Sequence, residues 1–370
     1  MYLYLMKIRD VVTHLESLAP PPYQEGYDNA GLLTGSANTE CSGVLVSLDV
    51  TPGVVSEAVT KKCNLVVAHH PIIFKGLKRL NGKNYVEKTV IAAIKNDVAI
   101  YAIHTNLDNV PNGVNGKIAD RLGLVNRKVL LPKPSTLKKL YTFVPPADLE
   151  KVRSAVFIAG AGSIGDYSEA AFSSPGEGCF KAEQGANPYV GEIGTRHYEK
   201  EVRFETVFPS HLQEHVVSAL RKAHPYQEVA FDVVDMANAN ELVGSGLIGK
   251  LPGPIEEREF LVQVRDAFHV PVIRHSAILH KPVRLVALCG GAGIFLLARA
   301  MELGADAFLT ADIKYHEFFD AEDRILLADI GHFESEQFTI DLLVEKLLEK
   351  FTTFAVLKTE ISTNPVNYFV

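Results

Sequence analysis

Leu65-Val66-Val67-Ala68-His69-His70-Pro71 is the stretch that decides the fold. Its four apolar residues suit one buried strand of a parallel sheet. Pro71 disfavours helix at His70 and brings no N–H of its own, so the chain leaves the sheet at this point. Two imidazoles therefore stand at the carboxyl end of a buried strand, the edge at which open α/β sheets bind ligands. One histidine there reads as a satisfied polar group. Two in succession read as nitrogen ligands of a metal.

Working outward, strands and helices alternate. Residues 44–48 read as a strand closing on Asp49, and Thr51 or Pro52 opens a helix that runs through Val59. Residues 86–95 follow as a helix and 98–103 as a strand. This β-α-β order predicts a parallel sheet and an α/β fold. Ahead of it, Ile8, Val11, Val12, Leu15 and Leu18 recur at helical spacing until Pro20-Pro21-Pro22. Gly26-Tyr27-Asp28-Asn29-Ala30-Gly31-Leu32 is a polar turn, with Asn29 or Gly31 expected at positive φ.

Two further strand ends carry chemistry. Residues 98–103 run into His104-Thr105-Asn106-Leu107-Asp108, where Asp108 also suits the N-cap of a short turn. Residues 325–328 end in Asp329-Ile330-Gly331-His332-Phe333-Glu334-Ser335-Glu336, followed by a long helix to about Lys350. His332 and Glu336 lie four apart and so share one helix face. His69, His70, Asp108, His332 and Glu336 supply nitrogen and oxygen donors and no thiolate. Five donors exceed what one tetrahedral ion takes and suit two divalent ions with a bridging carboxylate, from Zn, Mn, Fe, Co or Ni. Neighbouring side chains on a strand point opposite ways. His69 and His70 therefore serve one site only if the chain turns at Pro71, or if each faces its own ion.

Residues 134–237 have a different texture. A strand over 137–144 and a helix opened by Pro146 and Leu149 are echoed at 204–207, Pro209 and Leu212. This repeat predicts a ferredoxin-like α+β insert between α/β lobes at 1–133 and 238–370. Gly160-Ala161-Gly162-Ser163-Ile164-Gly165 spells a dinucleotide-binding pattern but follows a helix, where the motif needs a strand. His224-Pro225-Tyr226-Gln227-Glu228 reads as a turn. Cys289-Gly290-Gly291-Ala292-Gly293 joins a strand to a helix at 294–303, and its N–H groups are candidates for an anion.

With 370 residues, a net charge of −7 and no basic run, the chain has no footprint for nucleic acid. Cys41, Cys63, Cys179 and Cys289 are scattered, as in a reducing compartment, and no apolar run is long enough for a membrane helix. Met1 to Leu5 is too short for a leader core and Met6 is an alternative start, so the protein is expected in the cytoplasm. Lys75, with Lys78 and Arg79, follows the histidine pair and is placed to attract an anionic substrate.

The turn Tyr27-Asp28-Asn29-x-Gly31-Leu32 joins Ala68-His69-His70-Pro71, His104-Thr105-Asn106-Leu107-Asp108, Asp312-x-x-x-His316 and Gly331-His332-x-x-x-Glu336 in one pattern. With these motifs the chain resembles the dinuclear-metal proteins called GTP cyclohydrolase I type 2 homologues, or Nif-three-like proteins. The resemblance implies His69, His70, Asp108, His332 and Glu336 as metal ligands. It also implies a two-lobed, three-layer core, a trimer-forming CutA-like insert and a ring-shaped homohexamer. The expected activity is hydrolysis of a small anionic or nucleotide-like molecule, such as nucleotide-ring opening or phosphoester cleavage, with His104, His316 or Glu334 moving protons. Asp28 and Asn29 join Lys75 as substrate-side candidates. A metal-dependent binding or regulatory protein is the alternative.

Overall fold

A computed structural model describes residues 6–369, so the leader reading of residues 1–5 falls outside the described residues. The chain forms two compact units: one from the chain up to Pro132 and from Glu241 onward, the other Lys133–Asn240.

The first unit contains two sheets. The five-stranded sheet runs Gly31–Thr34, Ala99–Ala102, Leu65–Ala68, Val44–Ser47, Val356–Lys358. All its ladders are parallel except that of Gly31–Thr34. Its three central strands are buried along their whole length, which is why they read as unbroken apolar runs. The six-stranded sheet runs Arg274–His275, Leu326–Asp329, Ala307–Thr310, Pro282–Leu288, Gly244–Glu256, Val125–Pro132. It is parallel among Pro282–Leu288, Ala307–Thr310 and Leu326–Asp329 and antiparallel elsewhere.

One apolar core joins the sheets. Val46, Val67 and Tyr101 of the first belong to the same cluster as Leu288, Leu309 and Ala328 of the second. Helices Ile8–Leu18, Val114–Arg121, Glu257–Phe268 and Thr339–Lys350 contribute Leu15, Ile118, Phe260 and Leu343 to it. Helix Ile8–Leu18 buries Ile8, Val11 and Leu15, the helical stripe of the sequence, and Asp10 caps it by accepting from the Lys7 N–H at 2.8 Å.

The second unit follows the order Leu137–Val144, helix Leu149–Ile158, Ala171–Lys181, Arg196–Pro209, helix Gln213–Ala223, Phe231–Asp235. Leu137–Val144 lies between Arg196–Pro209 and Phe231–Asp235, with Ala171–Lys181 at the far edge and every ladder antiparallel. That is β-α-β-β-α-β connectivity, with both helices contributing to one core.

Several boundaries differ from the sequence reading. The Gly/Pro-rich stretch at 173–194, which reads as a loop or a long hairpin, is part of a hairpin: Ala171–Lys181 pairs with Arg196–Pro209, and the connection between them is mostly irregular. The helix expected to run to Lys350 breaks into His332–Glu336 and Thr339–Lys350. The helix at 294–303 begins as a 3₁₀ turn, Ile294–Leu296. Among the described residues no helix is long and apolar enough to cross a membrane.

Candidate metal centre

The three chemical strand ends come from two sheets, not one. Leu65–Ala68 and Ala99–Ala102 end in His69-His70 and His104, while Leu326–Asp329, which leads to His332, belongs to the other sheet. Gly331, at φ +85°, turns the chain out of that strand into the short helix His332–Glu336. A side chain at 331 would run into Glu334. Asp108 closes the one-turn helix Thr105–Asp108, so it is not an N-cap.

Glu336 is buried at the centre. Its Oε2 accepts from His70 Nε2 at 3.0 Å and stands 3.1 Å from His332 Nε2. Its Oε1 stands 3.9 Å from His69 Nε2, which is itself 3.7 Å from Asp108 Oδ1. The donors thus fall into two adjoining sets, His70/His332/Glu336 and His69/Asp108/Glu336, with His69, His70 and His104 forming a third close group. His69 and His70 both reach the cluster: the chain bends at these two residues, and each belongs to a different one of the first two sets.

Each imidazole is oriented from behind. The Nδ1–H of His69 donates to the Ile103 carbonyl at 2.9 Å, His70 Nδ1 to Asp49 Oδ1 at 2.8 Å, and His332 Nδ1 to Asp312 Oδ2 at 2.7 Å. That is how metal-ligating histidines are held. Asp49 is held in turn by the hydroxyl of Thr363 at 2.8 Å, and Asn364 donates to Glu334 at 3.0 Å, so the C-terminal segment braces the site.

The electrostatics show what is missing from this donor set. Burial pushes His69 down to about 4, so its ring is neutral with its Nε2 lone pair facing two carboxylates. His69 Nε2 and Asp108 Oδ1 are both buried without a hydrogen-bond partner. Burial, and then the nearby Glu336 carboxylate, raise Asp108. For His70, burial is outweighed by Asp49 and Glu336, which lift it to about 10. For His332 it is outweighed by Asp312 and Glu336, which lift it to about 11. Protons here take positions that a cation would fill. A lone pair facing two carboxylates is repulsive unless a cation lies among them, so these residues fit a divalent metal.

The remaining candidates separate clearly. His104 lines the cavity, and its Nδ1 is fixed at 2.8 Å by Asp28 Oδ1. Burial works against ionised Asp28, but His104 and Thr105 hold its carboxyl down at about 2. Asp28 is therefore a buttress, and Asn29 donates to the Ile73 carbonyl at 2.6 Å. Neither lines the cavity, and neither does Lys75, although its neighbour Phe74 does. Glu334 lines the cavity. His316 does not; it is exposed beside Tyr315 and Phe319. Cys289 lines it too, but burial, then Asp108 and Glu336, push its thiol up and keep it from acting as a thiolate. The N–H groups offered to an anion at Gly290, Gly291 and Gly293 are taken by Asn115, Ser335 and Thr310. Sequence reasoning passed over Thr363, and Asp49 as the partner of His70. The one available signal was the pairing of strand 44–47 with 65–68, which sets Asp49 beside His70.

The fold and the donor set define an α/β protein with a buried imidazole–carboxylate cluster able to hold metal. The chain matches the family described as Duf34/NIF3 (NGG1p interacting factor 3) over residues 6–365, and it belongs to that family. It is 38% identical to a GTP cyclohydrolase 1 type 2 homolog of Halalkalibacterium halodurans, over 97% of this chain and 98% of that one. It is 35% identical to the Bacillus subtilis protein of the same name, with the same coverage. A Bacillus cereus protein related to NIF3 superposes with a TM-score of 0.86 at 36% identity, over 99% of this chain and all of the other.

Proposed function

We propose that the chain is a dinuclear-metal hydrolase acting on a small nucleotide-like molecule. The observation that carries this reading is the division of Glu336, with one oxygen toward His69 and Asp108 and the other toward His70 and His332. One ion would be held by each set, and the carboxylate would bridge them. Bound divalent ions supply Lewis acidity, the usual role of such pairs in hydrolysis. In this reading His104 moves a proton. Asp28 fixes its Nδ1, which leaves Nε2 to exchange beside His69 and His70. Glu334, braced by Asn364, is the second cavity carboxyl able to take one.

The reading extends to a cytoplasmic homohexamer joined through a CutA-like insert at 134–237, which native mass spectrometry checks. The test of chemistry is turnover of nucleotides and phosphoesters by the metal-restored chain. Activity should require metal and fall at least about 100-fold in Asp108→Ala. Equal activity in that variant, or binding without turnover, would contradict a hydrolase at this site.

A further inference from the structure

The cavity above the cluster encloses about 1230 Å³. Its walls are aromatic. Tyr27, Phe74, Tyr85, Phe295 and Tyr368 line it, and Tyr27 and Phe295 are 72% and 63% exposed. Large rings left in water around one opening mark a binding face. Phe74 packs edge-on against His104, with ring centroids 5.6 Å apart, so the wall reaches the imidazole that stands beside His69 and His70.

Its charge is the reverse of a phosphate site. Seven carboxylates line the cavity. Among the described lining residues the one Lys or Arg is Arg274, whose guanidinium is bound by Asp329 and the Ile313 carbonyl. Two divalent ions would not bring this balance to positive. The glycine turn at 290–293 has three of its N–H groups committed internally, and Lys75 lies off the lining.

We infer that this cavity recognises a planar heteroaromatic ring of low charge, stacked among Tyr27, Phe74 and their neighbours, and that it discriminates against a triphosphate. The inference rests on the proposed function only in presenting the ring to the metal donors. For a nucleotide it assigns recognition to the base.

Calorimetry on the full-length, metal-loaded protein tests this, with guanosine, adenosine and cytidine each compared with its triphosphate at fixed free metal. The tightest nucleoside should bind at least about tenfold more strongly than its triphosphate. Phe74→Ala and Tyr27→Ala should each weaken that nucleoside about tenfold while metal content stays at the wild-type level. A triphosphate binding as tightly as its nucleoside, ring variants binding unchanged, or no nucleoside bound at about 1 mM would overturn the inference. Absence of metal from the wild-type protein would instead sink the proposed function, and the same titrations on metal-free protein would still decide ring recognition.

Discussion

The Oε2 of Glu336 lies 3.0 Å from the Nε2 of His70, although 266 positions separate them in the chain. The contact joins the carboxyl end of a strand in one sheet to a short helix leaving the other. It sets the imidazole–carboxylate cluster where the two sheets meet, on a core they share. The other oxygen of Glu336 faces His69, so a single carboxylate serves both sets of donors.

The brace behind His70 is one place to probe this arrangement. Thr363 holds Asp49, and Asp49 fixes the His70 ring. Thr363→Val keeps the shape and removes the hydroxyl. We expect metal affinity to fall about tenfold in a chelator competition, with the far-UV circular dichroism unchanged. Affinity equal to wild type would show that Asp49 holds His70 without help.

Gly291 has no room for a side chain. A Cβ there would stand 2.5 Å from Glu336 Oε1 and 3.2 Å from His332, at a φ of +59° that side chains disfavour. Gly291→Ala should displace Glu336, costing about 1 kcal/mol of stability from the backbone alone and most of the bound metal. Metal content measured on the folded variant decides it; a wild-type content would mean that Glu336 is not fixed by this turn.

The other unit carries its own pH dependence. His224 Nε2–H donates to the Phe143 carbonyl at 2.9 Å while Nδ1 accepts from the Tyr226 N–H at 3.1 Å. A proton on Nδ1 would face that N–H, and burial lowers the His224 pKa. The unfolded chain therefore takes up this proton first, and stability falls as pH drops below the ordinary histidine value of about 6.5. The protection of Leu137–Val144 against hydrogen exchange, taken relative to the intrinsic rate at each pH, should fall between about pH 7 and 5, and His224→Gln should flatten that trend. Parallel trends in the two proteins would remove His224 as the cause.

Much of the site was legible locally. His-His-Pro after an apolar run and His-x-x-x-Glu after a glycine each declare a strand end with donors on it, and all five donors meet in one cluster. That these ends belong to two sheets was not legible, because apolar runs record burial and not which sheet a strand joins. The strand Val356–Lys358 and the break after Glu336 carry no Gly or Pro signal. The committed N–H groups at 290–293 depend on Asn115, Ser335 and Thr310, residues that nothing in the turn announces. Lys75 reads as a substrate residue by its proximity to His70 in sequence, but it is exposed and lies off the cavity lining.

The most direct measurement is anomalous diffraction from crystals of the metal-loaded protein. Two peaks per chain are expected, one against His69, Asp108 and Glu336 Oε1 and the other against His70, His332 and Glu336 Oε2. A lone peak served by one oxygen of Glu336, or peaks away from these five side chains, would contradict the shared carboxylate on which the proposed chemistry stands.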